Sequence, residues 1–219
     1  MKSSFKFFSF WLLIVLGTAT VVFNSCGKDD ESEKDPNTTD KGIVINGVKW
    51  ATRNVGAPGT FVDNPEDVGM FYQWNRPVGW SATNPMISSN GETIWDSSTP
   101  TGTTWEMANN VCPAGYRMPT AAEIQSLIDS SSQSTIRNGV YGRVFGSGDN
   151  TIFLPVTGFR DIGGGTLRYV DGSALSYGFY WSSTPEESSL AYYLYFNGDE
   201  VVRSYDSRCY GRSIRCVAE

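Results

Sequence analysis

Residues 103–128 read TTWEMANNVCPAGYRMPTAAEIQSLI, and the fold class turns on them. Thr103 followed by Glu106 has capping-box spacing ahead of Trp105, Ala108 and Val111, and Pro113 must end that helix. Thr120 followed by Glu123 repeats the device ahead of Ile124, Leu127 and Ile128, whose spacing lines one face. Both predicted helices are short, and the sequence on either side reads as strand and turn. Upstream, 43–50 is a hairpin about Asn46 and Gly47, residues that tolerate positive φ. Residues 51–102 are rich in Gly, Pro, Asn, Ser and Thr and are punctuated by Phe71, Tyr72, Trp74, Trp80 and Trp95, which predicts long loops pinned by aromatic anchors. Downstream, 140–145, 151–156 and 179–182 are strand-like, with a glycine turn at 163–165. Leu190, Tyr192, Leu194 and Phe196 alternate with Ala191, Tyr193 and Tyr195, and Asn197-Gly198-Asp199 turns the chain into a partner strand at 200–205. With a last strand at 213–217, the reading is α+β: two short helices, antiparallel strands and long loops, the first and last strands pairing.

The chain has 219 residues, 40% hydrophobic, 14% aromatic and 18% charged, which is too apolar for a disordered tail and too polar for a multi-pass membrane protein. A net charge of −6 and the lack of any basic stripe argue against nucleic-acid binding. There is no histidine. That excludes Ser-His-Asp and Cys-His nucleophiles, His-ligated zinc or haem, and the usual general base at neutral pH.

Lys2 and Lys6 precede an uncharged, strongly apolar run over 7–23, the order of a secretory signal, so residues 1–25 are not counted as fold. Asn24-Ser25-Cys26 resembles a bacterial lipobox, making Cys26 the expected lipid attachment site and first mature residue. An uncleaved anchor, or ordinary cleavage with Cys26 free, are the alternatives, and either still exports the rest of the chain. Residues 27–41 hold six acids, three lysines and a proline without a large apolar residue, which predicts a solvated tether. Lys28, Asp29, Asp30 and Glu31 resemble the acidic export signal of Bacteroidetes lipoproteins, implying the outer face of the outer membrane. The folded part, 42–219, carries 17 acids against 12 bases, and Lys49 is its one lysine beside eleven arginines, a composition for bracing loops rather than solubilising a face. A chain of that length buries about 70% of its unfolded surface and needs no metal to fold.

Trp105, Ala108, Cys112, Gly115, Pro119 and Glu123 follow the scaffold pattern of C-type lectin-like domains. More specifically, INGVKWATRN (45–54), GMFYQW (69–74), CPAGYRMPTAAEI (112–124), LPVTGFRD (154–161), YWSST (180–184) and YGRSIRCV (210–217) resemble, in order and across nearly all of 42–219, the Fibrobacter succinogenes major paralogous domain. Arg117 departs from that pattern, since family members often carry His there. The resemblance implies a C-type lectin-like fold related to the formylglycine-generating enzymes and a lipid-anchored paralogue of the kind found in Bacteroidetes. It brings no general activity with it.

Cys112, Cys209 and Cys216 permit one bridge and one odd thiol in an exported domain. The resemblance implies Cys112–Cys216, which leaves Cys209 as a small buried residue. Formylglycine-generating enzymes hold copper with a C-terminal cysteine pair. If Cys216 is bridged, Cys209 has no such partner, and no cofactor or metal is expected. Asp161, Asp171, Asp199, Glu200 and Asp206 are separated by turns and read as turn caps rather than a calcium cage. Trp50, Trp74, Trp105 and Trp181 fall in the family blocks and read as core, whereas Trp80, Trp95, Tyr169 and Tyr177 lie in loop-like segments where a ligand platform would be built. The expectation is a non-catalytic binding or adhesion domain for a glycan or protein. A structural or fimbria-assembly subunit is the alternative, and a copper or redox enzyme stands third.

Overall fold

The computed structural model describes residues 40–169 and 177–219. The signal segment, Cys26, most of the tether and Asp171 lie outside the described residues. The expected tether gives way to the fold slightly early, because Asp40 is already held. Its carboxylate accepts from the Gly42 and Thr52 amides and the Thr52 hydroxyl at 2.8–2.9 Å, and its carbonyl accepts from the Tyr116 hydroxyl at 2.7 Å.

Strands β1 (Ile43–Ile45) and β2 (Val48–Trp50) form the first hairpin, with Asn46 and Gly47 at φ 48° and 82°, as the Asn-Gly pair predicts. Short β3 (Phe71–Tyr72) and β4 (Gly79–Trp80) pair within the aromatic-pinned loops. After β5 (Tyr116–Arg117) and helix α1 (Ala121–Ile128) come the meander β6 (Ser132–Arg137), β7 (Val140–Ser147) and β8 (Asn150–Pro155), then the small pair β9 (Phe159–Arg160) and β10 (Leu167–Arg168). A second meander, β11 (Gly178–Pro185), β12 (Leu190–Phe196) and β13 (Val201–Ser207), precedes β14 (Val217–Ala218). The ends of the domain meet, but through the second strand rather than the first: β14 lies between β2 and β5, with Val217 opposite both Trp50 and Arg117, and β1 pairs only with β2 in this sheet.

Of the two predicted helices, one forms. Thr120 and Glu123 make the reciprocal capping box at α1, whose Ile124 and Leu127 are buried. At the other position there is only a 3₁₀ turn, Met107–Asn109, and Thr103 makes no cap. The cause is tertiary. Asn75 Oδ1 accepts from the Glu106 amide at 2.8 Å, the Trp105 indole donates to the Asn109 carbonyl at 2.9 Å, and Ala108 is exposed. Two asparagines just ahead of Pro113 add little helix propensity to resist this.

β11 and β12 bury side chains on both faces, whereas β13 is a partly exposed outer strand. Tyr180, Leu194 and Phe196 face one cluster with Trp50, Ile124, Leu127, Phe145 and Leu154. Phe179, Trp181, Ala191 and Tyr193 face another with Tyr72, Trp74, Trp105, Cys112 and Ile214. Trp50, Trp74, Trp105 and Trp181 are core residues, as read from the sequence. The Cys112–Cys216 disulfide forms and closes a separation of 104 residues.

Candidate functional site

Where β11 and β12 emerge from the second cluster, tyrosines reach the surface. Tyr177 and Tyr195 stack nearly parallel at 5.7 Å, and Tyr169 meets Tyr177 edge-on at 4.9 Å. Phe159 joins Tyr169, Phe179 and Tyr210 at 5.7, 5.0 and 5.2 Å. Each ring is placed by local chemistry. The Thr157 and Gly158 amides donate to the Tyr177 carbonyl at 3.0 and 2.9 Å, and the Thr157 hydroxyl accepts from the Phe179 amide at 3.1 Å. Phe159 and Tyr210 approach because β9 bridges the 210–212 segment through paired Arg160 and Gly211 backbone bonds of 2.9 Å. Tyr169 follows β10 at φ 56°, a left-handed conformation uncommon for a bulky side chain, and is 55% exposed.

Beneath the tyrosines lies Arg212, 1% exposed. Its guanidinium carbon is 3.5 Å from the Tyr193 ring centroid and 4.6 Å from that of Trp181, and Nη2 donates to Asp206 at 2.7 Å. Nε and Nη1 have no hydrogen-bond partner among the described residues, and the guanidinium carbon is 5.2 Å from the Phe179 and Tyr210 ring centroids. Burial pulls the Arg212 pKa down, opposed by Tyr193 and Asp206. The Tyr210 hydroxyl is pushed up by burial and then by Asp206. Burial also raises Tyr195, whose oxygen accepts from Asn197 Nδ2 at 2.9 Å, and Glu200 adds to that rise. The result is an amphipathic cluster of aromatic rings and phenol hydroxyls, with the Asp206 carboxylate on Arg212 beneath it.

The four residues expected in a platform divide into two pairs. Tyr169 and Tyr177 stand together in the site. Trp80 and Trp95 do not, and the platform reading is corrected for them. They are 2% and 5% exposed and pack on each other at 5.1 Å. Gly165 and Gly211 close over Trp95, such that a Cβ on either would lie within 2.8 Å of its ring. An anchor and a ligand-facing ring are compositionally the same in a glycine-rich loop, and only packing separates them. Phe159, Tyr195, Tyr210 and Arg212 were missed as site residues. The tyrosines of 190–196 carried a signal, since apolar or aromatic side chains on both strand faces imply burial on both sides.

Asp161 is the turn cap expected of it, accepting from the Gly163 and Thr166 amides at 3.1 and 3.3 Å and pairing with Arg168 at 2.8 Å. Cys209 is buried, its sulfur 3.7 Å from the Ser98 carbonyl and the Thr99 hydroxyl. Among the described residues no helix is long and apolar enough to cross a membrane. No family model matches the chain, and no curated protein or solved structure matches it.

Proposed function

We propose that the chain is an outer-membrane lipoprotein, attached through Cys26 and facing the exterior, whose lectin-like domain binds an external glycan or protein without chemistry. The observation that carries the binding role is the tyrosine surface: an exposed Tyr169 and half-buried Tyr177, Tyr195 and Tyr210 on a scaffold packed from both sides. The six ordered sequence blocks support membership of the Fibrobacter succinogenes major paralogous domain family. The Cys112–Cys216 bridge and the pairing of β14 with β2 fit a C-type lectin-like domain. Against catalysis stand the lack of histidine and the use of Cys216 in the disulfide, which leaves Cys209 without a cysteine partner for copper.

Two measurements test this reading. Metabolic labelling with a fatty acid should mark the wild-type chain and not Cys26→Ser. On arrays of glycans and secreted proteins, with calcium and with chelator, saturable binding should be lost in Tyr169→Ala. Retention of every hit in that variant would remove the tyrosine surface from the reading. The second reading, a fimbria-assembly subunit, draws on β1, a sheet-edge strand with Val44 52% exposed, and predicts concentration-dependent self-association.

A further inference from the structure

We infer that the tyrosine surface selects a cationic partner segment, an exposed arginine or lysine side chain of another protein, rather than a neutral sugar. The inference rests on the binding role proposed above and names the ligand chemistry.

The inner tier of the cluster already holds a guanidinium in this way. Arg212 lies over Tyr193, with Trp181, Phe179 and Tyr210 around it at 4.6–5.2 Å and the Asp206 carboxylate on Nη2. The outer tier repeats the same elements, and among the described residues no guanidinium lies over the rings of Tyr169, Tyr177 or Tyr195. Tyr177 and Tyr195 present a stacked pair, Tyr169 closes one side, and Glu200 is tied to Tyr195 through one residue: the Glu200 amide donates to Asn197 Oδ1 at 2.7 Å, and Asn197 Nδ2 donates to the Tyr195 hydroxyl at 2.9 Å. The charges around this tier are unequal. Asp161 is matched by Arg168, and Asp206 by Arg212. Arg143 Nη1 donates to the Asn197 and Gly198 carbonyls at 3.1 and 3.3 Å, and Asp199 has no ion pair among the described residues. Glu200 is exposed and has no ion pair among the described residues. A ring face beside an unmatched carboxylate attracts a cation through the ring quadrupole and the carboxylate charge together, whereas a neutral sugar gains ring contact and hydroxyl hydrogen bonds but no charge–charge attraction. The excess of acids over bases in 42–219 steers the same class of partner toward the domain.

The test uses the full-length chain in non-ionic detergent, a fluorescent peptide alternating arginine and glycine, and a panel of neutral oligosaccharides. Saturable peptide binding is expected, weakened about tenfold by Tyr177→Ala and about threefold by Glu200→Gln. Glu92→Gln, an exposed acid on a different loop, should leave it unchanged. Glu200→Gln lies on an exposed turn and keeps the test valid if Tyr177→Ala folds poorly. Equal losses in Glu92→Gln and Glu200→Gln would reduce the binding to bulk charge and overturn the inference. Oligosaccharide binding that needs Tyr169 and Tyr177, without peptide binding, would overturn the inference and leave the proposed binding role standing. No binding by either probe would overturn the inference, while the binding role itself is decided by the glycan and secreted-protein arrays.

Discussion

Arg160, Arg208, Arg212 and Arg215 are each 1% exposed, and three of them are held by oxygens other than carboxylates. Arg160 donates to the carbonyls of Ser81, Thr83 and Gly165 at 2.7–2.8 Å, and Arg208 to those of Gly102, Glu187 and Leu190 at 2.5–3.2 Å. Arg215 reaches Asn54 Oδ1 and the Ala51 and Phe153 carbonyls at 2.9–3.2 Å, and burial lowers its pKa to about 10. Loops without regular pairing leave carbonyls that need donors, and a planar fork with five N–H groups supplies several at once. Three of the eleven arginines in 42–219 serve carbonyls in this way. Arg160→Lys keeps the charge but cannot span three carbonyls, and it should lower unfolding free energy by about 2 kcal/mol in urea titrations. Gly211→Ala places a Cβ 2.8 Å from the Trp95 ring and 3.2 Å from the Arg160 Cβ, so overpacking should cost about 1–3 kcal/mol in the same assay.

At the level of elements, α1 owes its start to contacts near and far in sequence. Thr120 and Glu123 cap each other, Thr184 Oγ1 accepts from the Ala121 amide at 2.9 Å, and Arg117 grips Glu123 through two bonds of 2.9 and 2.7 Å. Burial would raise the Glu123 pKa, but Arg117 and the Thr120 bonds win and hold it below the usual carboxylate range. A depressed carboxyl pKa adds stability that is complete above the unfolded value, 4.5, and is lost as pH falls through the folded value. The stability gap between wild type and Glu123→Gln should therefore be constant above about pH 5 and shrink below about pH 4.5, as followed by thermal unfolding. Thr120→Ala should cost about 1 kcal/mol. Sequence anticipated this helix but not β6, whose SQSTIR run is polar because it is a solvent-facing edge. The Asn138-Gly139 turn, at φ 48° and 82°, was its legible mark.

For the whole molecule, the bridge between Cys112 and Cys216 ties the segment before α1 to the strand that closes the domain. A 104-residue separation gives a chain-entropy contribution of about 4–5 kcal/mol, and Cys112→Ser with Cys216→Ser should lower Tm by on the order of 10–15 °C in calorimetry. The tyrosine site depends on the same architecture, since β9, β10, β11, β12 and the 210–212 segment each contribute a ring or hold one in place.

Sequence by itself determined what local chemistry can encode. Asn-Gly placed the first hairpin, Thr120 and Glu123 started α1, the alternation at 190–196 made a strand, and the aromatic anchors marked a loop-rich core. Tertiary structure decided what depends on residues far apart. Asn75 took the amide that a first helix would have capped, two glycines closed over Trp95 beside Trp80, and the packing of β9, β10, the second meander and the 210–212 segment brought Tyr169, Tyr177, Tyr195 and Tyr210 into one cluster. The physical reason is that capping and turn preferences act over three or four residues, whereas the side on which an aromatic ring is buried depends on which distant backbone leaves room for it.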